Sequence, residues 1–256
     1  MTQLTVSVGD GHEMPLLGFG TWQLPGKQAY EPVRVALETG YRHLDTATMY
    51  RNESEVGRAL QDSGVPREEV FVTTKLPAER AGRERETIEA SLKALGIDQL
   101  DLWLVHWPPH GSARPQTWRE FVAARDDGLT RAIGVSNYSI AEIDELTQAT
   151  GVTPAVNQIP YSPALHDPQL LAEHRERGVV LEGYSPFRRS DLRDPVFAEV
   201  AAAHRVAATQ VILRWHLQHE IVVIPKSATP ERVRANFDVF GFTLTDEEMA
   251  RIDAVR

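Results

Sequence analysis

Short apolar runs alternate along the chain with longer stretches in which apolar residues recur every three or four positions. The runs that read as strands centre on Leu17–Gly20, His43–Asp45, Val70–Thr74, Leu102–His106, Ala132–Val135, Ala155–Gln158, Val179–Gly183 and Ile221–Ile224. Between them, Ala29–Glu38, Glu53–Ser63, Arg83–Leu95, Ile140–Thr147, Pro168–Arg177, Val196–His204 and Ala208–Gln218 carry the helical period. Val56 and Leu60, or Ile88, Leu92 and Leu95, fall on one helix face. Buried-type strands alternating with helices imply parallel pairing through crossover helices, and eight such units can close a (β/α)8 TIM barrel. Ahead of them, the alternation Leu4-Thr5-Val6-Ser7-Val8 and the turn signal Gly9-Asp10-Gly11 predict a hairpin that ends by Leu16. No linker breaks the order, so residues 1–256 read as a single barrel domain, with Trp107–Pro115 as a βα loop. The rival is a doubly wound open sheet. Its fingerprint fits poorly: Gly18-Phe19-Gly20 lacks a third glycine and runs into Leu24-Pro25-Gly26, which cannot open a helix at once.

Three successive runs end in ionisable residues. Asp45 ends the second, Lys75 follows the third, His106 ends the fourth, and Tyr50 lies in the loop after Asp45. On a barrel, C-terminal strand ends and βα loops share one rim, so these four side chains belong to one pocket. A phenol is a poor acid at neutral pH, with an ordinary pKa of about 10. A neighbouring ammonium favours its ionised form, and a carboxylate can hold that ammonium. An imidazole can orient and polarise a carbonyl. The set could thus protonate an oxygen that gains charge as hydride reaches carbon, the hydride coming from a cofactor. Taken singly, each residue also fits a salt bridge, a helix cap or a satisfied core position.

The 256 residues suit one large barrel or two smaller domains, and 42% hydrophobic residues can fill a sizeable core. A net charge of -9 argues against nucleic acid or an anionic membrane as the main partner. The absence of cysteine excludes disulfides, thiolate metal sites and cysteine nucleophiles. No secretion signal or membrane-length apolar run is evident, so a soluble cytoplasmic protein is expected. The nine histidines are scattered, with neither a His-x-His pair nor a His-Glu-x-x-His motif, and no metal is expected.

After the eighth run comes Ile224-Pro225-Lys226-Ser227-Ala228, and a helix is expected to start with Thr229 as N-cap and Pro230 at its first position. Arg232 and Asn236 then share a face. A cation, a hydroxyl, a helix N-terminus and an arginine beyond the last strand can clamp a phosphate. A solvated basic helix start is the plainer alternative.

These segments together resemble the aldo-keto reductase family, most closely its bacterial 2,5-diketo-D-gluconate reductase-like branch, from about Leu16 to Ile252. The motifs are Leu17-Gly18-Phe19-Gly20-Thr21-Trp22, Tyr41-Arg42-His43-Leu44-Asp45-Thr46-Ala47 with Tyr50, and Asn52-Glu53-Ser54-Glu55-Val56-Gly57. Thr73-Thr74-Lys75-Leu76, Leu104-Val105-His106-Trp107-Pro108, Gly134-Val135-Ser136-Asn137, Asn157-Gln158, Tyr184-Ser185-Pro186 and Ile224-Pro225-Lys226-Ser227 continue the match. The resemblance implies a barrel with a hairpin across its bottom and NADPH-dependent reduction of an aldehyde or ketone, reversible with NADP+. It makes Tyr50 the general acid, with Lys75 lowering its pKa, Asp45 holding Lys75 and His106 orienting the carbonyl. Ser136, Asn137 and Gln158 would hold the nicotinamide carboxamide and Tyr184 would stack on the ring. Lys226, Ser227 and Arg232 would take the 2′-phosphate, and Asn236 the adenine. Trp22, Met49 and Trp107 would wall the substrate pocket, and a monomer is expected.

The chain also departs from the family pattern. Gln158-Ile159-Pro160-Tyr161-Ser162-Pro163 stands where relatives often have Gln-Ile-Glu-Tyr-His-Pro, and the loop after His106 looks short. The sequence ends at Arg256, where relatives usually continue into a C-terminal substrate loop, so the expectation is either an open pocket or a loop that this version of the chain lacks. An NADPH-binding sensor on the same fold, or a barrel hydrolase or isomerase with a phosphorylated substrate, are the other readings. The substrate is left open.

Overall fold

The computed structural model describes residues 4–9 and 11–255. The hairpin pairs β1 (Thr5–Val8) with β2 (His12–Pro15), Val8 opposite His12. The Asp10 position of its expected turn lies outside the described residues. Eight parallel strands follow in sequence order: β3 (Phe19–Gly20), β4 (His43–Asp45), β5 (Phe71–Leu76), β6 (Leu100–Val105), β7 (Thr130–Ser136), β8 (Val156–Pro160), β9 (Val180–Tyr184) and β10 (Val222–Val223). The ends of the sheet meet. Gly18 N donates to Val223 O at 2.9 Å and Val223 N to Leu16 O at 2.8 Å, which closes the barrel. The hairpin leads directly into β3 and buries Val8 and Met14 against the main core, next to Ala132 of β7.

All eight expected strands are present, with ends shifted by up to a few residues. β3 and β10 are the shortest because the closing contacts are single bridges rather than ladders. The helices α1 (Tyr30–Thr39), α2 (Glu53–Asp62), α3 (Glu84–Leu95), α5 (Ile140–Thr150), α6 (Pro168–Glu176), α7 (Pro195–His204) and α8 (Ala208–Gln218) fall on the periodic stretches. Two further helices were not anticipated, α4 (Pro115–Asp126) and α10 (Asp246–Asp253). In α4 the buried face is Thr117, Trp118, Phe121 and Ala124, a helical spacing masked by the preceding Pro- and Gly-bearing loop. α10 opens with a capping box, Thr245 and Glu248 bonding each other's backbone N–H. The helix α9 (Pro230–Phe237) starts as expected, yet Thr229 makes no side-chain cap; its N–H bonds Ser227 Oγ instead, at 3.0 Å.

The core is dense enough to fix the rim. The Trp103 ring of β6 stacks on Phe121 of α4 at 3.7 Å between centroids and 4° between planes. Gly57 of α2 lets α3 come so close that a Cβ there would lie 2.1 Å from the Leu95 carbonyl oxygen.

Candidate active site

Asp45 is the last residue of β4, Lys75 the penultimate residue of β5, and His106 follows the last residue of β6. Parallel register brings these ends level: Asp45 pairs with Thr73, and Lys75 with Leu104. Tyr50 ends a single 3-10 turn, Thr48–Tyr50, which Thr48 Oγ1 pins to the Lys75 carbonyl at 3.0 Å. Asn52 holds the flanking loops. It accepts from Thr46 Oγ1 and donates to the carbonyls of Thr21 and Leu24, which ties together the segments carrying Trp22 and Tyr50.

Lys75 is fully buried and Asp45 is 2% exposed. The ammonium donates to both carboxylate oxygens, at 2.7 and 2.6 Å, to Thr46 O at 2.8 Å and to Tyr50 Oη at 3.5 Å. Burial alone would lower the Lys75 pKa, but Asp45 and Tyr50 outweigh it and hold the group above its ordinary value, as a cation. The Tyr50 phenol is pushed above its ordinary value by burial, with Lys75 pulling in the opposite direction. Tyr50 therefore rests fully protonated. The expected influence of Lys75 is present, but burial exceeds it because much of the ammonium's charge is committed to Asp45. His106 packs edge-on to Tyr50, with centroids 5.7 Å apart, and burial followed by the Lys75 charge lowers its pKa to about 3. It is a neutral imidazole, able to donate one hydrogen bond without adding a cation.

A second network lies beside the first. Gln158 Nε2 donates to Asp45 Oδ2 at 2.9 Å, Ser136 Oγ donates to Gln158 O at 2.8 Å, and Tyr184 Oη donates to Asn137 Oδ1 at 2.8 Å. Asn137 holds a left-handed backbone, φ 63°, which turns its amide back toward Ser136 and the His106 carbonyl. All these groups face a cavity of about 700 Å³ that runs from Trp22, Met49 and Trp107 past Tyr50 to Lys226.

A sequence model of the Aldo/keto reductase family matches residues 16–256. The chain belongs to the aldo/keto reductase family. It is 44% identical over 256 residues to 2,5-diketo-D-gluconic acid reductase B of Corynebacterium sp. (strain SHS752001), covering 98% of this chain and 92% of that protein. A crystal structure of an aldo/keto reductase from Brucella melitensis superposes with a TM-score of 0.94 at 40% identity, covering 98% of this chain and 99% of that one. A Bombyx mori aldo-keto reductase solved in complex with NADP gives a TM-score of 0.91 at 32% identity, over 99% and 92% of the two chains. The present chain is accordingly an oxidoreductase of this family.

The other predicted positions of the enzyme fall as follows. Lys226 lines the far end of the cavity, Ser227 and Asn236 are buried without lining it, and Arg232 is exposed in the first turn of α9. Among the described residues neither Lys226 nor Arg232 forms an ion pair, whereas Arg34, Arg58 and Arg177 do. Lys226 on a cavity lined by Tyr184 and Asn137, with the exposed Arg232 in the first turn of the helix that follows, suits a phosphorylated dinucleotide. Trp22, Met49 and Trp107 are 52%, 43% and 49% exposed and form an apolar rim, of the kind that marks a ligand site. Sequence reasoning missed Ser185, Phe187 and Arg188, which line the cavity after β9. The Tyr184-Ser185-Pro186 motif pointed to this loop, but nothing in the period of the chain marked Arg188.

Beneath the site lies a group without an expected role. Glu182 of β9 is wholly buried, neither carboxyl oxygen has a hydrogen-bond partner, and His43 Nε2 is 3.8 Å away. Burial and then the Asp45 charge raise the Glu182 pKa to about 8, while burial lowers His43 to about 3. Both are neutral at pH 7, so this contact is no ion pair.

Proposed function

We propose that the chain reduces an aldehyde or ketone to an alcohol, with Tyr50 as proton donor and NADPH as reductant. The observation that carries the reading is the buried Lys75, bonded to Asp45 and within 3.5 Å of Tyr50 Oη, in one cavity that extends to the unpaired Lys226. The similarity to a 2,5-diketo-D-gluconic acid reductase and to an aldo-keto reductase solved in complex with NADP supports both halves.

NADPH, when bound, supplies the hydride. Ser136, Asn137 and Gln158 would hold its carboxamide, Tyr184 its ring, Lys226, Ser227 and Arg232 its 2′-phosphate, and Asn236 its adenine. The carbonyl would sit against Tyr50 and His106, with Trp22, Met49 and Trp107 as apolar walls. As negative charge grows on the carbonyl oxygen, Tyr50 donates its proton, and the Lys75 ammonium stabilises the phenolate left behind. Asp45 keeps that ammonium in place and offsets the cost of burying it. Neutral His106 donates a hydrogen bond to the same oxygen. A sensor of NADPH would have no need for a lysine buried against the Tyr50 phenol.

The same reading takes residues 1–256 as one barrel domain acting as a cytoplasmic monomer on small carbonyl compounds. No single helix among the described residues is long and apolar enough to cross a membrane. Loss of nicotinamide absorbance with a small aldehyde, abolished in Tyr50→Phe, is the expected assay result. Undiminished turnover by that variant would overturn the assignment, and size-exclusion chromatography tests the monomer.

A further inference from the structure

His166 lies between β8 and α6, His219 caps the C-terminus of α8, and Asp253 ends α10. Far apart in sequence, they meet in space. His219 Nε2 is 2.8 Å and His166 Nε2 3.8 Å from the same Asp253 oxygen, and one ligand atom from each residue lies within 4.8 Å of the other two. The His166 and His219 rings are 5.1 Å apart and inclined by 30°. None of the three lines the catalytic cavity.

We propose that His166, His219 and Asp253 bind a divalent transition ion of the zinc class, tying α8 and α10 to the segment that precedes α6. Zinc bonds to imidazole nitrogen and carboxylate oxygen measure about 2.0–2.2 Å, which sets ligand atoms roughly 3.3 Å apart in a tetrahedron. Separations of 2.8 to 4.8 Å reach that value with side-chain shifts of about an ångström or less. Two imidazoles and one carboxylate select zinc, cobalt or nickel over magnesium or calcium, which prefer oxygen. Water completes the fourth position.

The surroundings are those of a metal site's outer shell. Tyr161 Oη is 3.0 Å from His166 Nδ1 and also within 3.4 Å of the Asp167 carbonyl oxygen. With the phenol proton directed at that carbonyl, His166 Nδ1 carries the ring hydrogen, donates it to Tyr161 and turns the Nε2 lone pair to the cluster. Trp215 Nε1 donates to Asp253 Oδ1 at 2.7 Å, which fixes the carboxylate. Arg175, the neighbouring cation, donates to the His219 carbonyl and pairs with Glu220 at 3.7 Å, so part of its charge is offset. The scattered positions of the histidines explain why spacing in sequence gave no hint of the site.

The test is calorimetric titration of chelator-stripped protein with Zn(II), repeated with Co(II) while following its visible absorption. One ion per chain is expected, with a tetrahedral or five-coordinate Co(II) spectrum and a raised melting temperature. His166→Ala and His219→Gln should each weaken binding by more than about 100-fold, and Tyr161→Phe by about 10- to 100-fold. The exposed His110→Ala should change nothing. Absence of stoichiometric binding, or binding equally tight in His219→Gln, would show that the cluster is only a hydrogen-bonded tie between helices and would overturn the proposal.

Discussion

The two ends of the catalytic cavity handle charge in opposite ways. At one end Lys75 and Asp45 are buried, bonded to each other at 2.6 Å and surrounded by backbone and side-chain partners. At the other end Lys226 and Arg232 carry no ion pair, and Arg232 stands in solvent. The first arrangement is complete before any ligand arrives. Its dipoles need not reorganise as charge develops on a substrate oxygen, and that is where electrostatic catalysis gains most. The second leaves two cations open to an anion, the role proposed for them. On the proposed reading the barrel separates rate from affinity, with the chemistry on strand ends β4 to β6 and the anchoring after β10.

The largest effect should come from removing the donor itself. Tyr50→Phe keeps the ring against Trp22 and His106, at 5.0 and 5.7 Å, and deletes only the hydroxyl. Because a positioned general acid contributes about 10²–10⁴-fold, kcat should fall by that amount while NADPH affinity, read by fluorescence quenching, stays constant. A matching loss of affinity would mean the two ends are not separate. Lys75→Met comes next. It leaves Asp45 as a buried, unpaired carboxylate, a change that costs about 3–5 kcal/mol, so the urea midpoint should drop sharply along with turnover.

Acid titration probes the buried end without mutation. His43, His106 and His216 have pKa values lowered by burial to about 3, about 3 and about 4. Unfolded, each takes up a proton near pH 6.5 that the folded chain refuses, so their contribution to stability holds above 6.5 and is lost as pH falls toward 4. Glu182 works the other way. Raised to about 8, its carboxyl is protonated in the folded chain and ionised in the unfolded one between about 4.5 and 8, so stability falls as pH rises through that window. Each uncompensated group has a slope of about 1.4 kcal/mol per pH unit. The ligand-free enzyme should therefore be most stable between about pH 6.5 and 7 and lose roughly 2 kcal/mol in the first full unit below 6.5, three histidines outweighing one carboxyl. Glu182→Gln should flatten the alkaline limb and steepen the acid one; an unchanged alkaline limb would place the charge elsewhere.

The open end should respond differently. Arg232→Ala and Lys226→Ala remove charge-assisted bonds worth about 1.5–3 kcal/mol each, or roughly 10- to 100-fold in NADPH affinity. Neither should shift the urea midpoint, since neither cation has a partner to orphan. Affinity for NADH, which lacks the 2′-phosphate, should scarcely change. Equal losses for both nucleotides would refute the 2′-phosphate assignment.

The contrast between the two ends also governs what could be read from the residues. The barrel was legible because β5, β6 and β7 carry apolar runs such as Phe71-Val72, Leu102–Val105 and Ala132–Val135, and the proposed catalytic four because a polar residue at the end of such a run stands out. Lys226 and Arg232 were visible through the Pro-Lys-Ser turn and the helix start. Glu182 was hidden: it occupies one position of a strand, Val180-Leu181-Glu182-Gly183, whose neighbours give no sign that a carboxyl is tolerated there. Its place comes from tertiary packing, His43 on one side and Asp45 near the other. The α4 helix was missed although Trp118 and Phe121 announce its face, because Pro115 and the loop before it drew attention to the break. Arg188 and the His166–His219–Asp253 cluster depend on how loops and helix ends meet, which local periodicity does not encode.

Ionic strength gives the smallest effect and separates the ends most directly. At 0.1 M salt the Debye length is about 10 Å, falling to about 3 Å at 1 M, so exposed Arg232 and half-buried Lys226 lose most of their pull on an approaching anion. The Lys75–Asp45 pair sits where no salt enters, and its 2.6 Å contact is screened little. The KM for NADPH should therefore rise several-fold between these concentrations, with kcat at saturating cofactor nearly constant. In Arg232→Ala the rise should shrink, because one of the screened charges is already gone. A kcat that fell with salt in step with the KM rise would mean that the catalytic lysine feels the solvent after all, and that the closed end of the cavity opens during turnover.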